Sequence, residues 1–461
     1  MIQADTSVTN LALILVTDPE MCLQDHAGTP LLKRTVLSAQ KGGIQEFIVR
    51  TPDGDTDINQ RLKTLLTGDP RIFSKISWCG PGGDNLTELL EEKSPEAVLI
   101  IRSEAVFDPD VIRSMSGAGL DGLAARVAVR NGTHKTGPGG CEIKLDGDDV
   151  LDCRAWTRHP GSTAPAPAPA TNVRTAGLVF TTPGAARDIA TTILNTGGGV
   201  DTNTCRIVEM LLQLGRVRAV DVTKDLCMEI TSQQSMDESK NKLSGRLTLE
   251  TDSPFSVHVS RKISRLVTGV MVELPITPNQ ITLLSLVIGL AACWLYLQGG
   301  YWYSVLGVIT LYASIILDLS DGEVARLKFM SSKYGALLDT LCDSAVFSGI
   351  IFCSAVAIHR DLDAPNIITV GAVAAVVIFI CSNLYFYLHS VREEPESDPA
   401  NSILRSFANE DSFFLSLLGF TLLNSLEWYL WVVAAGSIVY LFTLVMDLNS
   451  NKPSHGSESV R

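Results

Sequence analysis

From about residue 279 the chain is a succession of long apolar runs separated by short polar links, and no other feature limits its fold as tightly. The runs lie near 279–298, 303–325, 336–358, 366–389, 411–425 and 428–447, giving six candidate spans. Most approach or exceed the roughly 20 residues that a helix needs to cross a bilayer. The stretches from Ile367 to Leu388 and from Trp428 to Met446 contain no charged residue. The fifth run is the weakest, because it is short and opens on Glu410-Asp411. Before residue 250 the composition is that of a soluble domain.

Charge bias gives this half an orientation. An even number of spans returns the chain to its starting side. The links on that side carry Arg261, Lys262, Arg265, Lys328, Lys333, Arg392, Arg405 and Lys452, whereas the other side has little beyond Arg360. Positive residues accumulate in cytoplasmic loops, so the N-terminal half and both termini are expected in the cytoplasm, with the chain multi-pass in the cell membrane. The opening MIQADTSVTN has neither a basic start nor an apolar core, so no signal peptide is expected. A net charge of −13, from 37 basic and 50 acidic residues, argues against a nucleic-acid partner. Ten cysteines without a CxxC pair argue against a zinc ribbon and a disulfide scaffold.

Just before the first span, Phe255 to Leu274 has a different character. Val259, Ile263, Leu266, Val267 and Val270 recur at helical spacing, and His258, Lys262 and Arg265 fall mostly on another face. This is an amphipathic helix, expected either at the membrane interface near anionic headgroups or packed on the bundle as a linker. Pro275 and Pro278 end it.

The chemistry concentrates in residues 318–343, DLSDGEVARLKFMSSKYGALLDTLCD. Asp318 and Asp321 are three apart on one helix, and Asp339 and Asp343 are four apart on the next, so each pair shares a face. The short link makes the two helices antiparallel neighbours with the pairs facing. Four carboxylates at a membrane interface repel one another and are costly to desolvate unless cations neutralise them. All-oxygen ligation suits magnesium or manganese, and two ions could clamp a pyrophosphate. Gly322, Ala325 and Gly335 leave space beside the carboxylates, for a ligand or for helix packing. Arg326 can pair with a phosphate or with a carboxylate. These residues alone leave open a cation path through a transporter.

The complete pattern Asp318-x2-Asp321-Gly322-x2-Ala325-Arg326-x8-Gly335-x3-Asp339-x3-Asp343 resembles the signature of the CDP-alcohol phosphotransferase (CDP-alcohol phosphatidyltransferase) family, with every position present. Pro278-Asn279-Gln280-Ile281-Thr282 is similar to the start of that family's first span. The resemblance covers roughly 255–450. It implies an all-α bundle of six transmembrane helices, usually in a homodimer, in which an alcohol attacks the phosphate of a CDP-alcohol and CMP leaves. It implies that Asp318, Asp321 and Asp339 hold two Mg2+ or Mn2+ ions, that Asp343 completes the site as the general base, and that Gly322, Ala325 and Gly335 line the cytidine and ribose site. Arg326, Asn279 and Thr282 fall in the same donor-binding shell.

The first 243 residues alternate strand-like and helix-like pieces. Strands are expected at 11–16, 46–50, 73–78, 96–102 and 175–181, with helices over 30–42 and 84–93. That rhythm indicates an α/β domain with a largely parallel sheet. PGSTAPAPAPAT at 160–171 reads as a flexible insertion, and Ser232–Lys242 as a polar helix leading to the membrane. Domains are therefore expected over 1–243 and 279–450, with a linker and interfacial helix at 244–278 and a polar tail at 451–461.

Gly28-Thr29-Pro30-Leu31-Leu32, Gly43-Ile44-Gln45-Glu46-Phe47-Ile48-Val49 and Ala105-Val106-Phe107-Asp108-Pro109 resemble segments of sugar-nucleotide and inositol-phosphate nucleotidyltransferases, which have a Rossmann-like fold. The fusion resembles bifunctional inositol-phosphate cytidylyltransferase/di-myo-inositol phosphate phosphate synthases, which form CDP-inositol and transfer phosphoinositol onto inositol phosphate. The departures are specific. Where that family has a glycine-rich basic loop, Thr17-Asp18-Pro19-Glu20-Met21-Cys22 has no glycine, no base and two acids. Glu104 stands at the metal aspartate, and Glu229-Ile230-Thr231 replaces the second acidic motif. Loss of the cytidylyltransferase step is therefore expected. The expected activity is transfer from CDP-inositol or CDP-diacylglycerol to a polar acceptor, with inositol 1-phosphate the first choice and Arg392 and Arg405 candidate acceptor ligands. A fully bifunctional enzyme is the alternative, and a membrane scaffold or transporter a more distant one.

Overall fold

A computed structural model describes residues 11–52, 56–79, 84–93, 95–117, 119–131, 141–155, 173–195, 200–230, 232–248, 253–392 and 410–450. The proline- and alanine-rich segment at 160–171, Thr231, Arg405 and the polar tail lie outside these residues, as does the side chain of Arg392. Contacts divide the chain into two units, Met1–Arg246 and Leu247–Arg461.

In the first unit, alternating apolar sequence becomes a nine-stranded sheet with helices on its faces. Its strands run Lys75–Cys79, Glu46–Arg50, Leu11–Leu15, Val98–Arg102, Val173–Thr181, Ala125–Asn131, Val217–Asp221, Asp149–Ala155 and Cys141–Asp146 from edge to edge. The first four are mutually parallel, as expected of strands separated by helices. Val173–Thr181 then enters antiparallel between Val98–Arg102 and Ala125–Asn131, and only Val217–Asp221 with Ala125–Asn131 is parallel in the remainder. The largely parallel expectation is thus corrected to a mixed sheet. The parallel strands are buried on both faces, and Leu13, Ile14, Ile48 and Ile101 are inaccessible to solvent.

The second unit is all-helical. Ser253 leads into a π-helical turn, Ser256–Ser260, which continues into Arg261–Glu273. This helix buries Arg261, Ser264, Thr268 and Val272 and turns Ile263, Leu266 and Val270 outward. Its polar face therefore meets the bundle while its apolar face is unburied, the reverse of a helix on a soluble core. Thr277 caps the next helix, with the Gln280 side chain reciprocating and Pro278 at the first position.

Five helices are long and apolar enough to cross a membrane among the described residues. They are the first span Pro278–Gln298, the second Tyr301–Leu327, the third Lys333–Leu362, the fourth within Pro365–Arg392 and the fifth within Leu426–Ser450. The expectation of six is corrected at 411–425. There the helix Glu410–Leu422 has 13 residues, about 20 Å of rise against a hydrocarbon core of about 30 Å. Glu410 and Asp411 polarise its start, and Asn424, at φ 52°, turns the chain into the last helix. With five long spans, the even count no longer places both ends of the bundle on one side.

Candidate active site

The second span carries Asp318 and Asp321 inward, 8% and 5% exposed. After a turn at Lys328–Ser332, the Ser332 hydroxyl caps the third span by accepting from the Gly335 amide at 3.0 Å. The third span then brings Asp339 and Asp343 opposite the first pair. Oxygens of Asp318, Asp321 and Asp339 lie within 4.8 Å of one another. Oxygens of Asp318, Asp343 and Glu410 form a second such group within the same distance. Asp318 is common to both.

The carboxylate oxygens are only partly satisfied by protein donors. Thr282 donates its hydroxyl to Asp321. Asp318 Oδ1 and Asp339 Oδ1 are buried without a hydrogen-bond partner among the described residues. Acceptors crowded by like charges and given no donor are the chemistry of a cation site, and an all-carboxylate set fits a hard divalent ion. These acidic residues can therefore coordinate a divalent cation.

The sequence-predicted residues fall around this centre on one side. A Cβ on Gly335 would lie 3.2 Å from Ser332 Oγ and 3.3 Å from Asn279 Oδ1, so Asn279 and Gly335 face each other across the first and third spans. A Cβ on Gly322 would meet only Arg326 Nη1, at 3.5 Å. Among the described residues no other helix comes within 4 Å of that Cβ position, unlike Gly289 and Gly371, whose missing side chains make room for Val346 and Ala355. Ala325 is half-buried, and Arg326 Nη2 donates to the Leu247 carbonyl at 3.3 Å.

On the other side lies a cavity of about 990 Å3 bounded by the third and fourth spans, the short helix and the last helix. Asp339, Asp343, Glu410 and Arg261 reach its wall, beside Tyr385 and Tyr429. Two of its features escape a reading of the signature alone. Glu410 was visible only as a charge opening the weakest apolar run. Arg261 reads as one of several basic link residues, yet its guanidinium donates at 3.1 Å to Glu323, which is fully buried. Ser264 and Thr268 donate to the same carboxylate at 2.8 and 2.6 Å. The signal for this network is Glu323 itself, an acid inside an apolar helix, which requires partners.

In the first unit, the loop at 17–22 is the short helix Pro19–Leu23, capped by Asp18. Glu104, fully buried, accepts from the Thr17 hydroxyl at 2.7 Å and from the Thr17 and Asp18 amides at 3.3 and 2.8 Å. Arg102 donates to the Thr17 hydroxyl at 3.0 Å, with its guanidinium 3.7 Å from Glu104 and 3.9 Å from Glu229. The Cβ that Gly177 lacks would fall 2.8 Å from Glu229 Cγ, so this strand glycine, at φ 82°, admits the acid.

Comparison with known proteins agrees with this geometry. Residues 275–439 match the CDP-alcohol phosphatidyltransferase family. A bifunctional IPC transferase and DIPP synthase of Aquifex aeolicus is 29% identical over 150 residues, which cover 32% of this chain and only 33% of that protein. A phosphatidylinositol phosphate synthase of Corynebacterium glutamicum is 28% identical over 193 residues, 40% of this chain and 80% of its own length. A bifunctional IPC transferase and DIPP synthase of Rubrobacter xylanophilus is 31% identical over 334 residues, covering 70% of this chain and 71% of its own. That last match is longer than either unit and therefore draws on both. With a nucleotidyltransferase-like unit ahead of the helices that carry the complete carboxylate signature, the chain belongs to the CDP-alcohol phosphatidyltransferase family.

Proposed function

We propose that the membrane unit transfers a substituted phosphate from a CDP-alcohol to a hydroxyl of an inositol-phosphate-related acceptor, releasing CMP. The observation that carries this reading is the convergence of Asp318, Asp321 and Asp339, with Asp318 Oδ1 and Asp339 Oδ1 given no donor among the described residues. Divalent cations held there would neutralise the pyrophosphate of the donor. Gly322, Ala325 and Gly335 would let the nucleotide approach the helix backbone, with Asn279 and Arg326 at its edge. Thr282 would orient Asp321. Asp343, at the cavity wall, would take the proton from the acceptor hydroxyl as the bond to phosphorus forms and the bond to CMP breaks. Arg392 and Arg405 are proposed for an acceptor phosphate. Support for the inositol class comes from the relatives' names, which include two bifunctional IPC transferases and DIPP synthases and a phosphatidylinositol phosphate synthase.

A second reading concerns the first unit. The comparisons favour the fully bifunctional alternative, because the Rubrobacter relative, whose match covers 70% of this chain, bears a bifunctional name. The local geometry points the other way. Glu104 already engages the amides and hydroxyl that would face a triphosphate, and Arg102 stands between the two acids where a cation would be needed. Pyrophosphate release by the full chain from CTP, magnesium and inositol 1-phosphate decides between them. Release abolished by Glu104→Gln supports bifunctionality, and background release supports loss.

A further inference from the structure

Glu323 stands two residues past Asp321 on the second span, a rotation of about 200° that turns it away from the facing aspartates. It is fully buried, and Arg261, Ser264 and Thr268, spaced i, i+3 and i+7 on one face of the helix Arg261–Glu273, all donate to its carboxylate. The same two helices are tied on either side of it. The Ser320 hydroxyl donates to the Ser264 carbonyl at 3.3 Å, and Lys328 Nζ donates to the Leu274 and Ile276 carbonyls at 2.7 and 3.2 Å. Neither Glu323 nor Arg261 is a signature position, and Arg261 lies ahead of the residues 275–439 that match the family. A buried ion pair is seldom more stable than apolar packing of the same volume, so fold stability alone does not account for this one.

Arg261 is only 4% exposed, yet it reaches the wall of the cavity of about 990 Å3. The other charged groups on that wall are Asp339, Asp343, Glu410 and Asp411, so Arg261 is its one cation among the described residues. A neutral polyol could enter such a cavity without charge compensation. An acceptor that carries a phosphate would be repelled by the acids unless a fixed cation met it. A guanidinium suits that task, because its planar fork of donors matches phosphate oxygens. A carboxylate behind it fixes the plane of the fork before the ligand arrives, which lowers the ordering cost of the contact.

We propose that Arg261 is a specificity residue for the acceptor, its guanidinium meeting the phosphate of a phosphomonoester-bearing polyol in the cavity, and that Glu323 is the positioning residue that holds Arg261 there. This rests on the transfer reading above and assigns its acceptor phosphate a partner on the helix that precedes the first span, in addition to Arg392 and Arg405. The preference for a phosphorylated acceptor is then set partly by an acid on the far face of the aspartate-bearing helix.

The test is isothermal titration of the full chain in detergent with magnesium, using CMP, inositol 1-phosphate and inositol as separate ligands, so that no turnover is needed. Wild type is expected to bind inositol 1-phosphate more tightly than inositol. Arg261→Gln should weaken inositol 1-phosphate about tenfold or more, the usual cost of a lost hydrogen bond to a charged group, with CMP affinity kept. Glu323→Gln, which keeps the shape and removes the charge behind the guanidinium, should weaken inositol 1-phosphate in the same direction, again without a change for CMP. Arg261→Lys, which keeps the charge and loses the fork, should fall between wild type and R261Q. Should R261Q fail to fold by its thermal transition because Glu323 is left unpaired, the double variant Arg261→Gln/Glu323→Gln removes both charges together and carries the same expectation. Unchanged inositol 1-phosphate affinity in the folded variant would overturn the proposal. Equal losses for CMP and inositol 1-phosphate would also overturn it, by marking the pair as structural. A wild-type chain that binds neither inositol 1-phosphate nor inositol would remove the acceptor reading itself, whereas phosphate-selective binding indifferent to Arg261 and Glu323 would remove only this inference.

Discussion

Asp318 is the residue on which both carboxylate groups depend, but Asp339 offers the cleaner test of cation chemistry. It joins the first group only, and its Oδ1 is one of the two unsatisfied oxygens. Asp339→Asn removes one charge and keeps the shape. Transfer should fall on the order of 10²-fold or more, as for other lost electrostatic contacts to a reacting group, with the fold intact by thermal transition. CMP release at limiting magnesium measures it, and a near-normal rate would remove Asp339 from the site. Gly335→Leu probes the donor side. The Cβ would already press on Ser332 Oγ and Asn279 Oδ1, and the rest of the side chain would enter the space assigned to the nucleotide. Donor affinity should drop at least tenfold with the bundle retained, and titration with a CDP-alcohol reads it. Unchanged affinity would make Gly335 a packing residue.

At the scale of elements, periodicity predicted what local sequence controls. The strands at Leu11–Leu15, Glu46–Arg50 and Val98–Arg102 and the helices Leu31–Lys41 and Asp84–Lys93 follow the expected positions, because each has a clean apolar pattern bounded by turn residues. The facing aspartate pairs were equally legible, since helical spacing and a short link leave little freedom. Strand direction was not. Whether Val173–Thr181 enters parallel or antiparallel depends on the long connection before it and on neighbours distant in sequence. Glu410 was invisible as a site residue because its approach to Asp318 is made by aromatic packing across helices, which no spacing rule encodes.

Two predictions belong to this scale. A Cβ on Gly289 would collide with Val346 where the first and third spans cross. Gly289→Ala should therefore destabilise the bundle by about 1–3 kcal/mol, the usual cost of overpacking, seen as a lower thermal transition. In the first unit, His26 is buried with Nε2 3.1 Å from Ser239 Oγ of the helix Gln233–Gly245. Burial first, then the charges of Arg34 and Lys240, push its ring from 6.5 down to about 3. The folded unit keeps this histidine neutral, while the unfolded chain takes up a proton below about 6.5. The stability it supports is complete above that pH and lost as pH falls toward 3, with a slope of up to about 1.4 kcal/mol per pH unit. His26→Gln should flatten that acid dependence in thermal melts at pH 7, 6 and 5, and an unchanged slope would show that other groups govern it.

On the scale of the whole molecule, an α/β unit and a membrane bundle share one chain, and their chemistry has diverged in legibility. The bundle's acids sit near one another with oxygens left unsatisfied, a state that calls for ions. The first unit's acids, Glu104 and Glu229, instead flank the Arg102 guanidinium, and Glu104 Oε1 accepts from the Thr17 and Asp18 amides, so their charge is opposed by the protein itself even though Glu104 Oε2 is buried without a hydrogen-bond partner among the described residues. This contrast sets the central claim in the membrane unit. The most direct measurement is CMP release by the purified full chain with magnesium, a radiolabelled CDP-inositol or CDP-diacylglycerol donor, and inositol, inositol phosphate, glycerol phosphate or serine as acceptor. The expected result is release that requires magnesium, is stimulated most by inositol phosphate, and is lost in Asp339→Asn. Magnesium-dependent binding of the donor without CMP release for any acceptor, or release undiminished in Asp339→Asn, would contradict it.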